Sequence, residues 1–244
     1  MIKKPYVIII PARLKSKRLY AKPLIKIKNK ELIIWVIENC LKKFPSENVF
    51  VATDSKKIFN LIKKNGYNAI MTSKKCLTGT DRVAEVINKI NSSIYINVQG
   101  DEPLINPDDI KKIIKIKKFF PNRVICAMTK IKKNENIASV SLPKVVVNER
   151  DELLYISRSP IPAKKDKKIF FNNYYKQVCI YAYNKSELNK FYKFGRKSKL
   201  EKIEDIEILR FFDLGIKVKM MNTSKESYAV DTRSDIKIVR AKLK

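Results

Sequence analysis

Histidine is absent from the 244 residues. That removes the side chain most often used as a general base near neutral pH, and with it the imidazole half of most zinc sites. Cysteine is sparse: Cys40, Cys76, Cys126 and Cys179 stand far apart with no C-x-x-C spacing. The pattern excludes a disulfide framework and a thiolate metal site, leaving buried or incidental free thiols. There are only five glycines, so a glycine-rich phosphate loop is not available where one would be sought. No apolar run approaches the roughly eighteen residues a spanning helix needs. The start, MIKKPYVIIIPAR, has a short apolar stretch like that of a signal peptide, but Pro11 and Arg13 cut it and no small-residue cleavage site follows. The expectation is a cytoplasmic protein with no membrane insertion. Repeats and linkers rich in Gly, Pro or Ser are lacking too, which predicts a single domain over residues 1–244, with an excursion around 130–195.

Positive charge is abundant. Lysine and arginine number 53 against 24 acidic residues, a formal charge of +29. Such an excess raises the question of nucleic acid. The excess, however, is overwhelmingly lysine spread beside isoleucine and asparagine, a bias that AT-rich codons also produce. In KKIIKIKK (Lys111 to Lys118) the lysines recur at helical spacing opposite an isoleucine stripe, as on a solvated helix face. The arginines are placed differently: Arg13, Arg18, Arg82, Arg158 and Arg210 fall within compact motifs. No nucleic-acid partner is expected, although the charge would draw nucleoside triphosphates and acidic sugars toward a cleft.

Hydrophobic periodicity alternates strand and helix through the first half. Tyr6–Ile10 is a continuous apolar run; Glu31–Lys43, Ser55–Asn65 and Asp81–Ile90 read as helices; Asn48–Thr53, Tyr67–Met71 and Ile94–Val98 read as strands; a helix starts at Pro107. This predicts an α/β fold with a doubly wound, mostly parallel sheet, whose ligands bind beyond the carboxyl ends of the strands. The second half is mixed, with strands over Val124–Lys130, Val145–Asn148, Leu153–Ser157, Gln177–Tyr183 and Ile216–Met221. An amphipathic helix is expected over Leu200–Phe212, and a last helix from Arg233.

Four segments at strand ends carry the chemistry. PARLKSKRLYAKPL (Pro11 to Leu24) puts Arg13, Lys15, Lys17, Arg18 and Lys22 on one loop without glycine. Polyphosphate binding there would rest on side-chain cations rather than close backbone approach; a solvated basic loop explains the same residues. NVQGDEPLI (Asn97 to Ile105) presents Asp101 and Glu102 beyond a strand, where carboxylates suit a hard cation such as Mg²⁺ or simply a surface turn. TGTDRVAEV (Thr78 to Val86) opens a helix that could receive an anion or a base, or that is merely capped. In YAVDTRSDI (Tyr228 to Ile236), Asp231 could join Asp101 at a metal, and Asp235 is more simply a helix-dipole partner. Spacing leaves these alternatives open.

Taken in order along nearly the whole chain, the segments closely resemble the 3-deoxy-manno-octulosonate (KDO) cytidylyltransferases, the CMP-KDO synthetases. The resemblance rests on the PAR loop with RL-x-x-KPL, VATD (Val51 to Asp54), Met71-Thr72, TGTDR with AEV, NVQGDEP, SR-x-x-IP (Ser157 to Pro162), IY-x-Y (Ile180 to Tyr183), LE-x-IE (Leu200 to Glu204) and VDT. It implies a nucleotide-diphosphosugar-transferase-like fold, and a homodimer contacting through residues 130–195. The implied reaction joins the CMP part of CTP to an acidic KDO-like sugar, with release of pyrophosphate. Carried over by position, Arg13, Lys22 and Asp101 would be catalytic. Pro11, Ala12, Arg13, Ser16, Arg18, Lys22, Thr78 and Gln99 would bind nucleotide, and Arg82, Gln99, Arg158, Gln177, Tyr181 and Glu207 would bind sugar. Asp101 and Asp231 would hold Mg²⁺, which removes the need for a histidine base. An arginine suits the sugar carboxylate because its planar fork offers two hydrogen bonds.

The chain departs from the family pattern at four places. Gln177 and Cys76 stand where histidines are usual, Ile208 where a glutamine is usual, and PGKP reads Tyr20-Ala21-Lys22-Pro23. Gln177 and Ile208 fall in the implied sugar site. They raise a modified, for example amino-substituted, octulosonate as substrate, beside drift at tolerant positions. A CMP-acylneuraminate synthetase shares the chemistry, but RL-x-x-KPL and NVQGDEP favour the octulosonate enzymes. A nucleotide-sugar glycosyltransferase would need a D-x-D-type motif, which is missing. A basic nucleic-acid-binding protein would show arginines and aromatics interleaved on one face, which they are not.

Overall fold

The computed structural model describes residues 3–15, 19–166, 173–224 and 227–243. Eleven strands and eight helices follow one another along these segments. β1 (Val7–Ala12) leads to a two-stranded ribbon, β2 (Lys26–Ile27) and β3 (Lys30–Glu31), and then to α1 (Leu32–Leu41). β4 (Val49–Thr53), α2 (Lys56–Lys64), β5 (Asn68–Met71), α3 (Gly79–Val86), β6 (Tyr95–Val98) and α4 (Pro107–Phe119) complete the first half. The second half runs through β7 (Val124–Lys130), β8 (Lys144–Val147), β9 (Leu153–Ser157), β10 (Tyr175–Tyr183), α5 (Lys185–Lys193), α6 (Lys199–Glu204), α7 (Arg210–Asp213), β11 (Val218–Asn222) and α8 (Arg233–Lys242).

Apolar β-branched runs make the sheet. All six residues of β1 are buried, as a strand covered on both faces requires. The order is β11-β7-β10-β6-β1-β4-β5, with β8 and β9 joined to it through β10. β6, β1, β4 and β5 are parallel to one another, and β7 is parallel to β11. β10 runs antiparallel to both β6 and β7 and so stitches the two parallel groups together. The expected mostly parallel α/β sheet is therefore present, with one reversed strand at its centre.

Helices cover both faces. Ile33 and Ile37 of α1, Ile58 and Ile62 of α2, and Ile110 and Ile113 of α4 pack on one face against Ile8, Ile10 and Ile96. Val83 of α3 and Leu188 and Phe191 of α5 cover the other, against Val7, Tyr95 and Tyr183. A smaller cluster (Ile27, Leu32, Val230, Val239) seats α8 against the β2–β3 ribbon. That seat brings the C-terminal segment back to the carboxyl end of β1.

Two elements differ from the sequence expectation. The helix expected over Leu200–Phe212 is broken: α6 stops at Glu204, Asp205 takes a left-handed conformation (φ 49°), and a 3-10 turn at Glu207–Leu209 precedes α7. α5 was not expected from its weak apolar pattern; Asn184 and Glu187 close a capping box at its start.

Candidate active site

The geometry of the site starts from two close approaches at glycines, one to backbone and one to side chains. A Cβ on Gly100 would lie 2.9 Å from the Pro11 carbonyl oxygen, so the turn after β6 can press on the end of β1 only without a side chain. A Cβ on Gly79 would lie 2.8 Å from Gln99 Nε2 and 3.3 Å from Pro11 Cγ. The start of α3 is thus set against the same strand ends.

Three distant segments meet beyond these ends. The Lys22 ammonium donates to Asp101 Oδ2 at 2.5 Å and to Asp231 Oδ1 at 3.0 Å. Lys22 sits in a 3-10 turn entered through Ala21, which holds φ 51°; Asp101 follows β6, and Asp231 precedes α8. A backbone bond from Val230 N–H to the Asp101 carbonyl (2.9 Å) locks the last two segments together. Burial pushes the Lys22 amine down, the two carboxylates push it up, and the net shift is upward, so Lys22 is held as a cation. Asp235 accepts the Thr232 N–H and hydroxyl in a capping box, which leaves Asp231 as the acid that faces Lys22.

Glu102 turns the other way. It is 3% exposed and accepts the Cys179 N–H (3.1 Å), freed where β10 bulges between Val178 and Tyr181, together with the Ser227 hydroxyl. Burial raises its carboxyl above the ordinary glutamate value. Of the acidic pair in NVQGDEP, Asp101 therefore faces the Lys22 cleft and Glu102 braces the wall.

A second polar group lies across β6. Glu207 accepts the Gln99 Nε2–H (3.1 Å) and the Thr80 backbone N–H (3.0 Å). Burial pushes its carboxyl up, opposed by the Thr80 N–H. The Thr80 hydroxyl meets Tyr183 OH (3.0 Å), and Tyr183 stacks beside Tyr181. The Gln177 amide donates to Tyr181 OH at 3.1 Å.

The remaining sequence candidates fall into three groups. Arg13 is exposed just past β1, and Pro11 and Ala12 are buried at its end; Ser16 and Arg18 lie outside the described residues. Thr78 caps α3, its N–H and hydroxyl both bonded to Asp81 at 2.8 Å, so the capped-start reading accounts for it. Arg82 is buried against Thr72, Ser73 and Asp54, a contact that explains why VATD and Met71-Thr72 accompany TGTDR. Arg158 spends its guanidinium on the carbonyls of Glu204, Val140 and Asp205. Of the departures from the family pattern, Cys76 bonds Glu85 and Ile208 is fully buried, whereas Gln177 alone of the three reaches Tyr181. Sequence reasoning assigned no role to Thr80 or Tyr183, although both sit inside motifs already singled out, and it offered Glu102 as a cation ligand or turn residue, where the structure instead buries it against Cys179 and Ser227.

Two carboxylates drawn to one cation fit the donor set of Mg²⁺, which typically takes one or two carboxylates and fills its octahedron with water and phosphate oxygens. Among the described residues no group of three or more His, Cys, Asp or Glu side chains is arranged to hold a metal.

Cations and carboxylates gathered at the carboxyl ends of parallel strands make a site suited to a polyphosphate, and similarity to known proteins gives its class, a nucleotidyltransferase. A match to the cytidylyltransferase family spans residues 7–220. The 3-deoxy-manno-octulosonate cytidylyltransferase of Thermodesulfovibrio yellowstonii is 38% identical, over 94% of each chain. The Escherichia coli protein of that name is 37% identical, over 96% of this chain and 94% of its own. Among solved structures, CMP:2-keto-3-deoxy-manno-octonic acid synthetase complexed with CTP superposes with a TM-score of 0.87 at 37% identity, covering 97% of both chains. The chain belongs to the 3-deoxy-manno-octulosonate cytidylyltransferase family.

Proposed function

We propose that this chain transfers the cytidylyl group of CTP to 3-deoxy-manno-octulosonate. The anomeric hydroxyl attacks the α-phosphorus, the bond to the β-phosphate oxygen breaks, and CMP-sugar and pyrophosphate leave. The observation that carries the reading is the meeting of Lys22, Asp101 and Asp231 beyond β1 and β6, in a chain whose relatives are named for this activity.

In such a transfer the protein's work is positioning and charge stabilisation. Lys22, with Arg13 and Arg18, supplies cations for the triphosphate. Asp101 and Asp231 would hold Mg²⁺, which when bound neutralises phosphate charge and lowers the pKa of the attacking hydroxyl. Lys22 keeps the two carboxylates gathered at one point, and nucleotide phosphates would offer its ammonium another anionic partner. Gln99, Gln177, Tyr181 and Glu207 are the polar group assigned to the sugar, and Arg82 and Arg158 are engaged with Asp54 and with backbone carbonyls instead. Use of CTP supports a cytoplasmic location. A homodimer contact through residues 130–195 is supported by the exposed apolar side chains Val140 and Leu154 in that stretch.

Pyrophosphate release with Mg²⁺ and CTP, in the presence and absence of KDO, tests the reading. Release that depends on KDO is expected, with a fall of about a thousandfold in Asp101→Ala, equivalent to about 4 kcal/mol at about 1.4 kcal/mol per decade. KDO-independent or absent release overturns it. An 8-amino octulosonate in the same assay reports whether Gln177 has changed the preferred sugar.

A further inference from the structure

Arg210 is the largest fully buried side chain among the described residues, 0% exposed, and all three nitrogens of its guanidinium are hydrogen-bonded. Glu201 takes Nε and Nη2, both at 2.7 Å; Asp81 takes Nη1 at 2.7 Å and Nη2 at 3.2 Å. The ring of Phe191 lies 3.8 Å beneath. Both acids have a second task. Asp81 closes the capping box of α3 through Thr78, and Glu201 that of α6 through Ser198. Each cap is complete without the arginine.

Stability alone is a poor reason for this arrangement. A buried ion triad is often replaced by apolar residues at no cost, because desolvation offsets the attraction. What a planar five-donor fork adds is direction: it fixes the start of α3 relative to the start of α6. Between those starts stands the polar group assigned to the sugar. Thr80, beside Asp81, donates its N–H to Glu207; Glu207 accepts from Gln99; and Glu207 lies in the 3-10 turn that runs directly into Arg210. The segment from Glu201 to Arg210 is therefore tied at both ends to one guanidinium, with its left-handed turn at Asp205 in between.

We propose that Arg210 is a positioning residue for Glu207 and Gln99, holding the Glu207 turn against the start of α3 so that the two side chains present one sugar-binding surface. Arg210 itself touches neither substrate. The proposal rests on the sugar-site reading above.

Steady-state kinetics of the full chain with Mg²⁺, CTP and KDO test it, using Arg210→Lys, Glu207→Gln and the double variant, each with a thermal melt to establish the folded fraction. Glu207→Gln is expected to raise the KM for KDO about tenfold while the KM for CTP stays within about twofold, the mark of a lost sugar contact. Arg210→Lys is expected to shift the same constant in the same direction. The double variant is then no worse than Glu207→Gln alone, because the arginine acts through the glutamate. Effects that multiply in the double variant, or an Arg210→Lys loss that tracks only the folded fraction, overturn the proposal and leave the sugar site standing. An inert Glu207→Gln removes the sugar-site reading and the proposal together. Should Arg210→Lys not fold, Phe191→Leu takes its place in the cycle; it removes the ring beneath the guanidinium and leaves the bonds to Glu201 and Asp81 in place.

Discussion

Ala21 holds φ 51°, a left-handed conformation that costs an L-residue roughly 1–2 kcal/mol. The family pattern places glycine there, and the alanine keeps the turn because Ala21 N–H bonds the Leu14 carbonyl (3.0 Å) and Leu24 N–H bonds the Ala21 carbonyl (2.8 Å). Ala21→Gly is expected to raise stability by about 1 kcal/mol with Lys22 undisturbed, read as a higher urea midpoint at constant slope. Glu207 makes a pH-dependent contribution of opposite sign to that of the usual surface carboxylate. Burial raises its folded-state pKa above the ordinary 4.5, so the stability it contributes is full below that value and is lost as pH rises through the raised one. Urea midpoints from pH 4.5 to neutrality should therefore fall more steeply in the parent than in Glu207→Gln. At this scale the sequence was legible where a motif names the side chain, as for Lys22, Asp101 and Asp231. It was silent on which of two adjacent acids faces inward. Asp101 and Glu102 differ in their distant partners: a bulge in β10, some eighty residues later, releases an N–H for Glu102, which also accepts from Ser227, while Asp101 meets Lys22.

Among the elements, strands were read closely because apolar β-branched runs bounded by polar turns have few alternative structures; Val124–Lys130 and Leu153–Ser157 stand as expected. The break in Leu200–Phe212 could not be read, since no glycine or proline marks it. Burial of Ile206, Ile208 and Leu209 and the anchoring of Arg210 impose it from outside. α5 is mostly polar and is held by tertiary contacts. One of these is Lys117 of α4, whose ammonium meets both oxygens of Glu187 at 2.7 Å and is buried with them. Burial drives the lysine down and the glutamate up, each beyond what their attraction restores. Lys117→Met, which strands the glutamate, is expected to destabilise by about 3–5 kcal/mol. Lys117→Met/Glu187→Leu should recover part of that loss, short of all of it, because the cap on Asn184 is lost as well. Chemical denaturation of the two variants checks both statements.

For the whole molecule, the alternation of strand and helix foretold the α/β sheet, but strand order is not written in periodicity. The insertion of β10 between β6 and β7 follows from pairing across the chain. The charge of +29 also acts at this scale. If it draws CTP toward the cleft, kcat/KM for CTP should fall about tenfold between roughly 0.05 and 0.5 M salt, as screening shortens the reach of the field; a flat profile would show that the lysines are no more than a solvated coat. The bond from Lys22 to Asp231 spans 209 positions of sequence, and that separation governs the order in which the site can be built during synthesis. The chain emerges from its N-terminal side at roughly 5–20 residues per second. Every strand through β11 has been made before Asp231 appears. A nascent or truncated chain ending before that residue offers Lys22 one carboxylate instead of two, so the site closes only after every strand of the sheet has been translated.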